Sequence, residues 1–568
     1  MELTQQIEKL IDQGLYFEAR SKAESALKTS PDLRMKQLYA LSLSKSGVPE
    51  AALEFIEPVY AQFPDDPESA GVLGSICKEL FKKNQSTAFA IRSRDTYFKN
   101  FSVTKNFYTG INAASMSAMA GQSGRSREIA TEVISLLDGA SEDFWVLATL
   151  GEAHILTKNK AKASECYIRA RKLADKDWGK ITSVYNQLWL LNHFLPVPDE
   201  ILKLFNPPGV VAFVGHMIDH PDRPDQRFPA AIEQNVKSAI VHSIRSLNAR
   251  IGYCSLACGG DILFAEAMTE EGGEVNIFLP FEKADFIKTS VQFAGENWVN
   301  RFTSLVERFP VTFISREPYG GVDDIFSFQS KIIFGSAMLR CESYHAEPSL
   351  LTVLSDVDLK RQEGGTRDAL RLWPFPQRLV NINPGTFISE KQLVTTLVKS
   401  EPRHNPGGAE RPVLYLVYSD FSGVPPGELE KIYATVTGKS REDLGSHFVP
   451  EQKSILGAFE AEPAAKEYLR RLVESMKSSW RQTSFKVSLH AGPVYIEPGE
   501  GSANKKLSGS TVQLVKELSA LIPNGILASD NFAALLALDN KKFSIDYSGL
   551  FISEDGERKT TIYKVAFK

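Results

Sequence analysis

The run VVAFVGHMI (210–218), apolar, β-branched and marked by Gly215 at its end, sets the fold of the middle of the chain. A helical stretch follows, AAIEQNVKSAIVHSIRSLN (230–248). Then ARIGYCSLACGGDILFAEAMTEEG (249–272) reads as strand, glycine turn and helix, and EVNIFLPF (274–281) as a third strand. Near-continuous apolar strands alternating with helices predict a parallel sheet covered on both faces. Such a doubly wound sheet takes its ligand at the carboxyl ends of its strands, where these glycine turns fall.

Three turns are candidates. Gly215 and His216 close the first strand. Cys258-Gly259-Gly260-Asp261 opens a helix; its N-terminus favours anions, and two glycines let backbone N–H groups approach a phosphate. Asp261 reads either as the helix N-cap or as a partner for a ribose hydroxyl. The third turn, EGGTRD (363–368), follows the strand LLTVLSD (350–356). It holds Gly364, Gly365, Thr366 and Arg367, the last either neutralising a phosphate or standing in solvent. His216, Asp219, His220 and Asp222 form a polar cluster, read as metal ligands or as a loop beside the ligand. Cys254 and Cys258 read as buried small residues, because no second cysteine pair completes a zinc site.

Together the three turns resemble the SLOG superfamily, which includes the LOG cytokinin-activating phosphoribohydrolases and the ligand-sensing domain of some TRPM channels. The resemblance spans residues 208–385. It implies a Rossmann-like α/β domain that binds a nucleotide or a nucleotide-derived small molecule. Enzymatic members carry Pro-Gly-Gly-x-Gly-Thr-x-x-Glu. The loop here, EGGTRDAL (363–370), lacks the second glycine step and the aligned glutamate, which implies binding without phosphoribohydrolysis.

Towards the N-terminus, residues 1–200 lack strand-like alternation and are rich in Ala, Leu, Lys and Glu. YFEARSKAESALKTSPDL (16–33) and LYALSLSKSGVPEAALEFIEPVYAQFPDDP (38–67) place small residues at helical spacing before Pro31 and Pro64. The separation of those prolines approximates a tetratricopeptide unit of roughly 34 residues. WVLATLGEAHILTKNKAKASECYIRARKLA (145–174) repeats the plan, with a turn at Lys158-Asn159-Lys160. An α-solenoid is expected, its helices crossing closely at Ala and Gly. ESAGVLGSICKELF (68–81), FYTGINAASMSAMAGQ (107–122) and DFWVLATLGEAHI (143–155) resemble, in that order, the TRAFs-binding helical domain over about 65–195. That resemblance implies a regulatory domain that recruits a protein partner. Tyr108, Asn112 and Trp145 read as packing between helices or as partner-docking residues on the concave face.

Towards the C-terminus, LVKSEPRHNPGGAERP (397–412) is polar and Pro/Gly-containing, part of a helix and linker over 386–410. Beyond it come VLYLVYSDFSG (413–423), FKVSLHAGPVYI (485–496), LSGSTVQLVKELSAL (507–521), PNGILASDNFAALL (523–536) and a closing pair of strands over 543–568. Over 411–568 this order resembles the class III nucleotidyl cyclase domain and implies an α+β ferredoxin-like fold. The family holds two metals on two aspartates. Asp420 matches the first, with magnesium and a nucleotide as the implied cofactor pair. The second should lie near QKSILGAF (452–459), where Lys453 or Ala458 stands instead. The family's Asn and Arg, four residues apart on one helix, correspond to Gln513 and Glu517. Three departures in four imply a pseudo-enzyme that binds nucleotide or forms a homodimer.

Composition closes off other classes. The 568 residues are 43% hydrophobic and 24% charged with a formal net charge of -4, which excludes a disordered chain and a phosphate-driven nucleic-acid binder. Five scattered cysteines exclude a disulfide framework. The N-terminal stretch lacks the apolar core of a signal peptide, and no apolar run approaches the ~20 residues that span a bilayer. The expected setting is therefore the cytoplasm, with no membrane contact. Two function classes stay open: a non-enzymatic signalling protein, or an enzyme, either a divergent cyclase or a nucleotide hydrolase acting through the middle domain.

Overall fold

A computed structural model describes the chain apart from residues 1, 13–14, 30–31, 176, 221–222, 224–225, 343, 356–369, 372, 389–410, 425–445, 452, 480–484, 499–504, 523, 540–541 and 554–557. It divides into two compact units. One is Met1–Pro207 with Tyr547–Ile562, the other Pro208–Asp546 with Tyr563–Lys568.

The first unit is a helical repeat. Its helices are α1 (Glu2–Asp12), α2 (Tyr16–Thr29), α3 (Leu33–Lys45), α4 (Pro49–Gln62), α5 (Pro67–Asn84) and α6 (Thr87–Thr104). They continue as α7 (Phe107–Met119), α8 (Ser123–Leu136), α9 (Phe144–Leu156), α10 (Lys160–Ala174), α11 (Trp178–Asn192) and α12 (Asp199–Leu204). Side chains cap several of them. Asp66 accepts from Ser69 N, Asn106 from Tyr108 N, and Asp143 from Trp145 N and Val146 N, each satisfying an N–H that the helix leaves unpaired. Small residues set the crossings as expected. A Cβ on Gly110 would lie 2.7 Å from the Phe101 ring, and one on Gly151 2.7 Å from the Tyr167 ring. The turn at Lys158 is present and left-handed, with φ 64°.

The second unit opens with a six-stranded, wholly parallel sheet. Its elements are β1 (Gly209–Gly215), α13 (Glu233–Ser246), β2 (Ala249–Cys254), α14 (Gly260–Glu270), β3 (Glu274–Leu279), α15 (Lys283–Ser290) and α16 (Glu296–Arg308). β4 (Val311–Phe313), α17 (Asp324–Glu342), β5 (Ser349–Val353) and β6 (Leu379–Ile382) complete it. The strand order is β4-β3-β2-β1-β5-β6, so the chain reverses direction across the sheet between β1 and β5. Right-handed crossovers put the helices leading outward from β1 on one face, and α17, which returns past β1 to β5, on the other. The strands β1, β2, β3 and β5 are apolar almost throughout, as two covered faces require.

A seven-stranded mixed sheet follows. It is built from β7 (Val413–Asp420), β8 (Ser446–Pro450), β9 (Ser454–Phe459), β10 (Lys486–Pro493), β13 (Gly525–Ser529), β14 (Phe543–Ile552) and β15 (Lys559–Phe567). Its order is β14-β15-β13-β10-β7-β9-β8. The helices are α18 (Glu462–Ser479), α19 (Ser510–Ser519) and α20 (Asp530–Ala537). The run 485–496, expected as one strand, is two: β10 stops at Pro493, and β11 (Tyr495–Pro498) pairs separately with β12 (Lys505–Ser508). Proline has no N–H with which to extend the ladder.

One hydrophobic core runs through both sheets of this unit. Helix α17 is its axis. The helix packs on β1 and β2 and also on α20, where Gly335 sits so close that a Cβ would fall 1.9 Å from the Ala534 carbonyl oxygen. A helix that serves two sheets must be apolar around its circumference, and α17 is buried on nearly every side.

Candidate functional site

Two of the three turns expected to bind ligand, those at 215–216 and 258–261, meet where the parallel sheet reverses. His216 follows β1, and its backbone N–H donates to Val353 O of β5 at 2.9 Å. Its ring Nε2 accepts from Ser355 N at 3.2 Å, which places the ring between the ends of β1 and β5. Gly259 and Gly260 lie beside it. Gly260 N donates to His216 O at 3.0 Å, Ile218 N to Cys258 O at 3.0 Å, and Met217 bridges Gly259. A Cβ on Gly259, where φ is +108°, would fall 2.5 Å from Ile218 N. The close approach that this glycine allows is therefore to the 216–218 backbone, and the Gly260 N–H is already used there.

Asp261 stands in the first turn of α14, while Gly259 holds the N-cap, so the capping reading of Asp261 is corrected. The carboxyl is 6% exposed and accepts from Ala257 N at 3.1 Å. Burial pushes it up to about 7, only partly offset by that bond. Gln329 of α17 reaches the same end of the sheet, donating to Ser255 Oγ at 2.8 Å and to Phe278 O at 2.6 Å. Cys254 and Cys258 are buried thiols; burial pushes Cys258 up to about 12. The loop Asp219 is committed to its own backbone, accepting from Arg227 N and Phe228 N at 2.7 Å each. The His220 ring stacks on Phe293. Among the described residues no three His, Cys, Asp or Glu side chains converge as metal ligands. Asp222, Gly364, Gly365, Thr366 and Arg367 lie outside the described residues.

The cyclase-equivalent positions lie on the mixed sheet. Asp420 ends β7, opposite Lys486 on β10 and Ser454 on β9. Its Oδ1 accepts from Ser422 N at 2.8 Å, and its Oδ2 lies 3.7 Å from Lys486 Nζ. Phe421 N donates to Lys453 O, so Lys453 flanks Asp420, whereas Ala458 lies along the sheet opposite Leu416. Beside it, Tyr418 OH donates to Ser454 Oγ at 2.9 Å, and Ser454 Oγ to Glu451 at 3.0 Å. Glu451 is ion-paired with Lys516 of α19. Gln513 and Glu517 share a face of α19 and bond each other at 2.7 Å. A magnesium ion prefers oxygen ligands in octahedral array. One carboxylate already engaged by a backbone N–H and facing a lysine does not fit it.

A third constellation was not foreseen from the sequence. On the helical unit, Lys78 of α5 donates to Asn112 Oδ1 of α7 at 2.8 Å and to Gln187 Oε1 of α11 at 3.2 Å. Gln187 Nε2 donates to Glu152 of α9 at 2.6 Å, and Ser115 of α7 also donates to Glu152. Burial pushes the Lys78 ammonium down to about 8 and the Glu152 carboxyl upward. Asn112 is buried in this network, but Tyr108 and Trp145 are 58% and 49% exposed. Packing between helices thus describes Asn112 and also Tyr108, whose ring meets the buried Tyr97 of α6 edge-on, whereas Trp145 meets only its own helix neighbour Phe144 among the described ring contacts. Both occupy the second position of their helices, where a side chain overhangs the helix mouth. In the sequence Lys78 is one of several charges in α5 and Glu152 stands in an otherwise largely apolar α9, so the network shows only once four distant segments are brought together.

The family model described as Tetratricopeptide Repeats-Sensor matches residues 15–117. No curated protein matches the chain. Among solved structures, a thermophilic tetratricopeptide-repeat protein of Thermus thermophilus is 18% identical, covering 33% of this chain and 98% of its own, with a TM-score of 0.29. An adenylyl cyclase from P. aeruginosa is 14% identical over 28% of this chain and 95% of its own, TM-score 0.23. An adenylate/guanylate cyclase/hydrolase from Silicibacter pomeroyi is 17% identical over 28% and 97%, TM-score 0.24. The N-terminal region is a tetratricopeptide-like helical repeat, an architecture suited to protein interaction. No described helix is long and apolar enough to cross a membrane.

Proposed function

We propose that the chain is a signalling protein that senses a nucleotide or nucleotide-derived ligand and recruits a protein partner through its helical repeat. The observation that carries this reading is the reversal of the parallel sheet between β1 and β5. His216, the Gly259-Gly260 turn and the buried Asp261 meet there, at the place where Rossmann-like sheets take ligands. Asp261 is the residue suited to a ribose hydroxyl: its carboxyl is at the strand ends and holds one backbone N–H. The late loop with Thr366 and Arg367 belongs to the same proposal as its phosphate side. Magnesium enters this reading only as a counter-ion that arrives with the phosphates.

The mixed sheet, ferredoxin-like with its added strands, is read as a pseudo-cyclase that binds nucleotide or dimerises. The Asp420–Lys486 pair favours this over turnover because it engages the carboxylate that two-metal chemistry needs free, and the Gln513–Glu517 bond because it joins the two residues that stand in place of the family's Asn and Arg. Calorimetric titration of the full chain with nucleotides, ADP-ribose and cyclic nucleotides tests the proposal. Saturable binding of one of them, weakened at least tenfold in a folded Asp261→Asn variant, is the expected result. Silence across that panel overturns ligand sensing at this sheet. Cyclic product that scales with protein and disappears in Asp420→Ala overturns the pseudo-cyclase.

A further inference from the structure

Gln329 of the apolar helix α17 has bonding capacity left over. Its neighbour Ser330 satisfies its hydroxyl within the helix, donating to Phe326 O. Gln329, 5% exposed, reaches the sheet instead. Its carboxamide nitrogen gives one hydrogen to Ser255 Oγ at 2.8 Å and the other to Phe278 O at 2.6 Å. A carbonyl oxygen only accepts, so the nitrogen end of the amide must face Phe278. Both N–H groups are thereby spent, and Oε1 keeps its lone pairs. Ser255, 8% exposed, accepts from Gln329, so its own O–H is left to donate. Among the described residues nothing donates to Gln329 Oε1 and nothing accepts from the Ser255 hydroxyl.

The two groups stand at the carboxyl ends of the strands. Ser255 directly follows β2, and Cys254 pairs with Ile277 of β3, so Ser255 and Phe278 come next along the same two strands. Asp261 reaches this end from α14, on the opposite face of the sheet to α17, and accepts from Ala257 N, two residues beyond Ser255. An acceptor and a donor left over side by side in a nearly buried place cost free energy until something completes them. Phosphate oxygens only accept and cannot serve Gln329 Oε1. The complement is an edge that carries an N–H beside an acceptor atom, and every nucleobase has one on its Watson–Crick side.

We propose that Ser255 and Gln329 are the specificity pair of the sheet-end site and take the hydrogen-bonding edge of a nucleobase. Ser255 Oγ donates to the acceptor atom of that edge, and Gln329 Oε1 accepts from its N–H. The proposal rests on the reading that the reversal of the parallel sheet binds a nucleotide or nucleotide-derived ligand, and adds which part of that ligand is recognised and by which groups. The base lies on the α17 side, and the ribose suited to Asp261 on the α14 side.

Calorimetric titration of the full chain tests it, with AMP, GMP, CMP, UMP, their cyclic forms and ADP-ribose each compared with ribose 5-phosphate. At least one base-bearing probe should bind ~10-fold or more tightly than ribose 5-phosphate, the worth of two hydrogen bonds in a nearly buried place. Ser255→Ala removes one hydroxyl and adds no bulk. In a variant whose circular dichroism matches the wild type, it should cut that preference by ~5-fold or more. Binding to the wild-type chain that is blind to the base overturns the inference, leaving a water molecule or a sugar hydroxyl on the pair, and needs no variant to be seen. A base preference that Asp261→Asn weakens but Ser255→Ala leaves alone overturns this inference and keeps the ligand at the sheet end. A preference that neither substitution changes, or silence with every probe, overturns both this inference and the reading on which it rests.

Discussion

At the scale of single residues, the informative groups are buried ionisable ones whose environment sets their protonation. Asp261 keeps its proton in the folded chain up to about pH 7 and loses it at about 4 when unfolded. Between those values the folded state binds more protons, so stability of the second unit falls as pH rises and levels off above 7. The loss should be on the order of 4 kcal/mol. Asp261→Asn keeps an acceptor for Ala257 N, and should flatten this slope when denaturant melts are compared at about pH 4.5 and about pH 8. Lys78 runs the opposite way. Its folded value is about 8 against 10.5 unfolded, so between those pH values the unfolded chain holds the extra proton and helical-unit stability rises with pH. Lys78→Met should abolish that rise, measured by helical circular dichroism during denaturation. Asp261 was legible in the sequence as a strand-end acid beside a glycine pair. Its burial was not, because that depends on β2 and the turn after it bringing Cys254 and Cys258 against it. Lys78 was not legible, because its partners lie up to 109 residues away.

At the scale of elements, apolar alternation and glycine turns made β1, α13, β2, α14 and β3 readable, and the small-residue spacing made the repeats readable. Helix α17 escaped. Its apolar circumference carries no period, and a helix buried on all sides cannot be told by pattern from a run of buried strand. Its most exacting position is Gly335, against the Ala534 backbone of α20. Gly335→Ala would gain about 1 kcal/mol of helix propensity yet force α17 and α20 apart. The net expectation is a destabilisation of about 2–3 kcal/mol, read from a shifted denaturation midpoint of the second unit. The same substitution at Gly71, whose added Cβ meets nothing within 4 Å, should be neutral or stabilising. A loss at Gly71 equal to that at Gly335 would show that helix crossing is not what Gly335 serves. The glycine pair at 259–260 was legible as a turn, but the approach it permits is to the chain itself, a distinction that residue type alone cannot make.

At the scale of the whole molecule, the chain reads as three domains in sequence, and the two large sheets, read as the second and third, share one of two compact units. The parallel and mixed sheets are joined by contacts of every kind. Phe328 of α17 meets the Tyr415 ring edge-on, Asn531 donates to Ile314 O, Arg411 donates to Pro318 O at 2.7 Å, and Tyr495 OH donates to Glu317 at 2.7 Å. A linker-like composition over 397–412 suggested a joint between independent modules, yet composition reports on a connection and not on the faces it lets meet. The consequence is cooperative. A fragment ending at residue 385 uncovers the side of α17 that carries Gly335, with Phe328, Ile332 and Met338 at helical spacing from it, all buried in the full chain. That fragment should be aggregation-prone or loosely packed, whereas residues 208–568 should unfold in one transition whether followed by far-ultraviolet dichroism or by Trp298 and Trp373 fluorescence. Separate transitions for the two sheets would show that α17 is a mere contact between modules. A single one means that the ligand proposed for the ends of β1 and β5 would act on a body that already includes the mixed sheet, because Gln329 in the first half of α17 and Gly335 in its second belong to one helix.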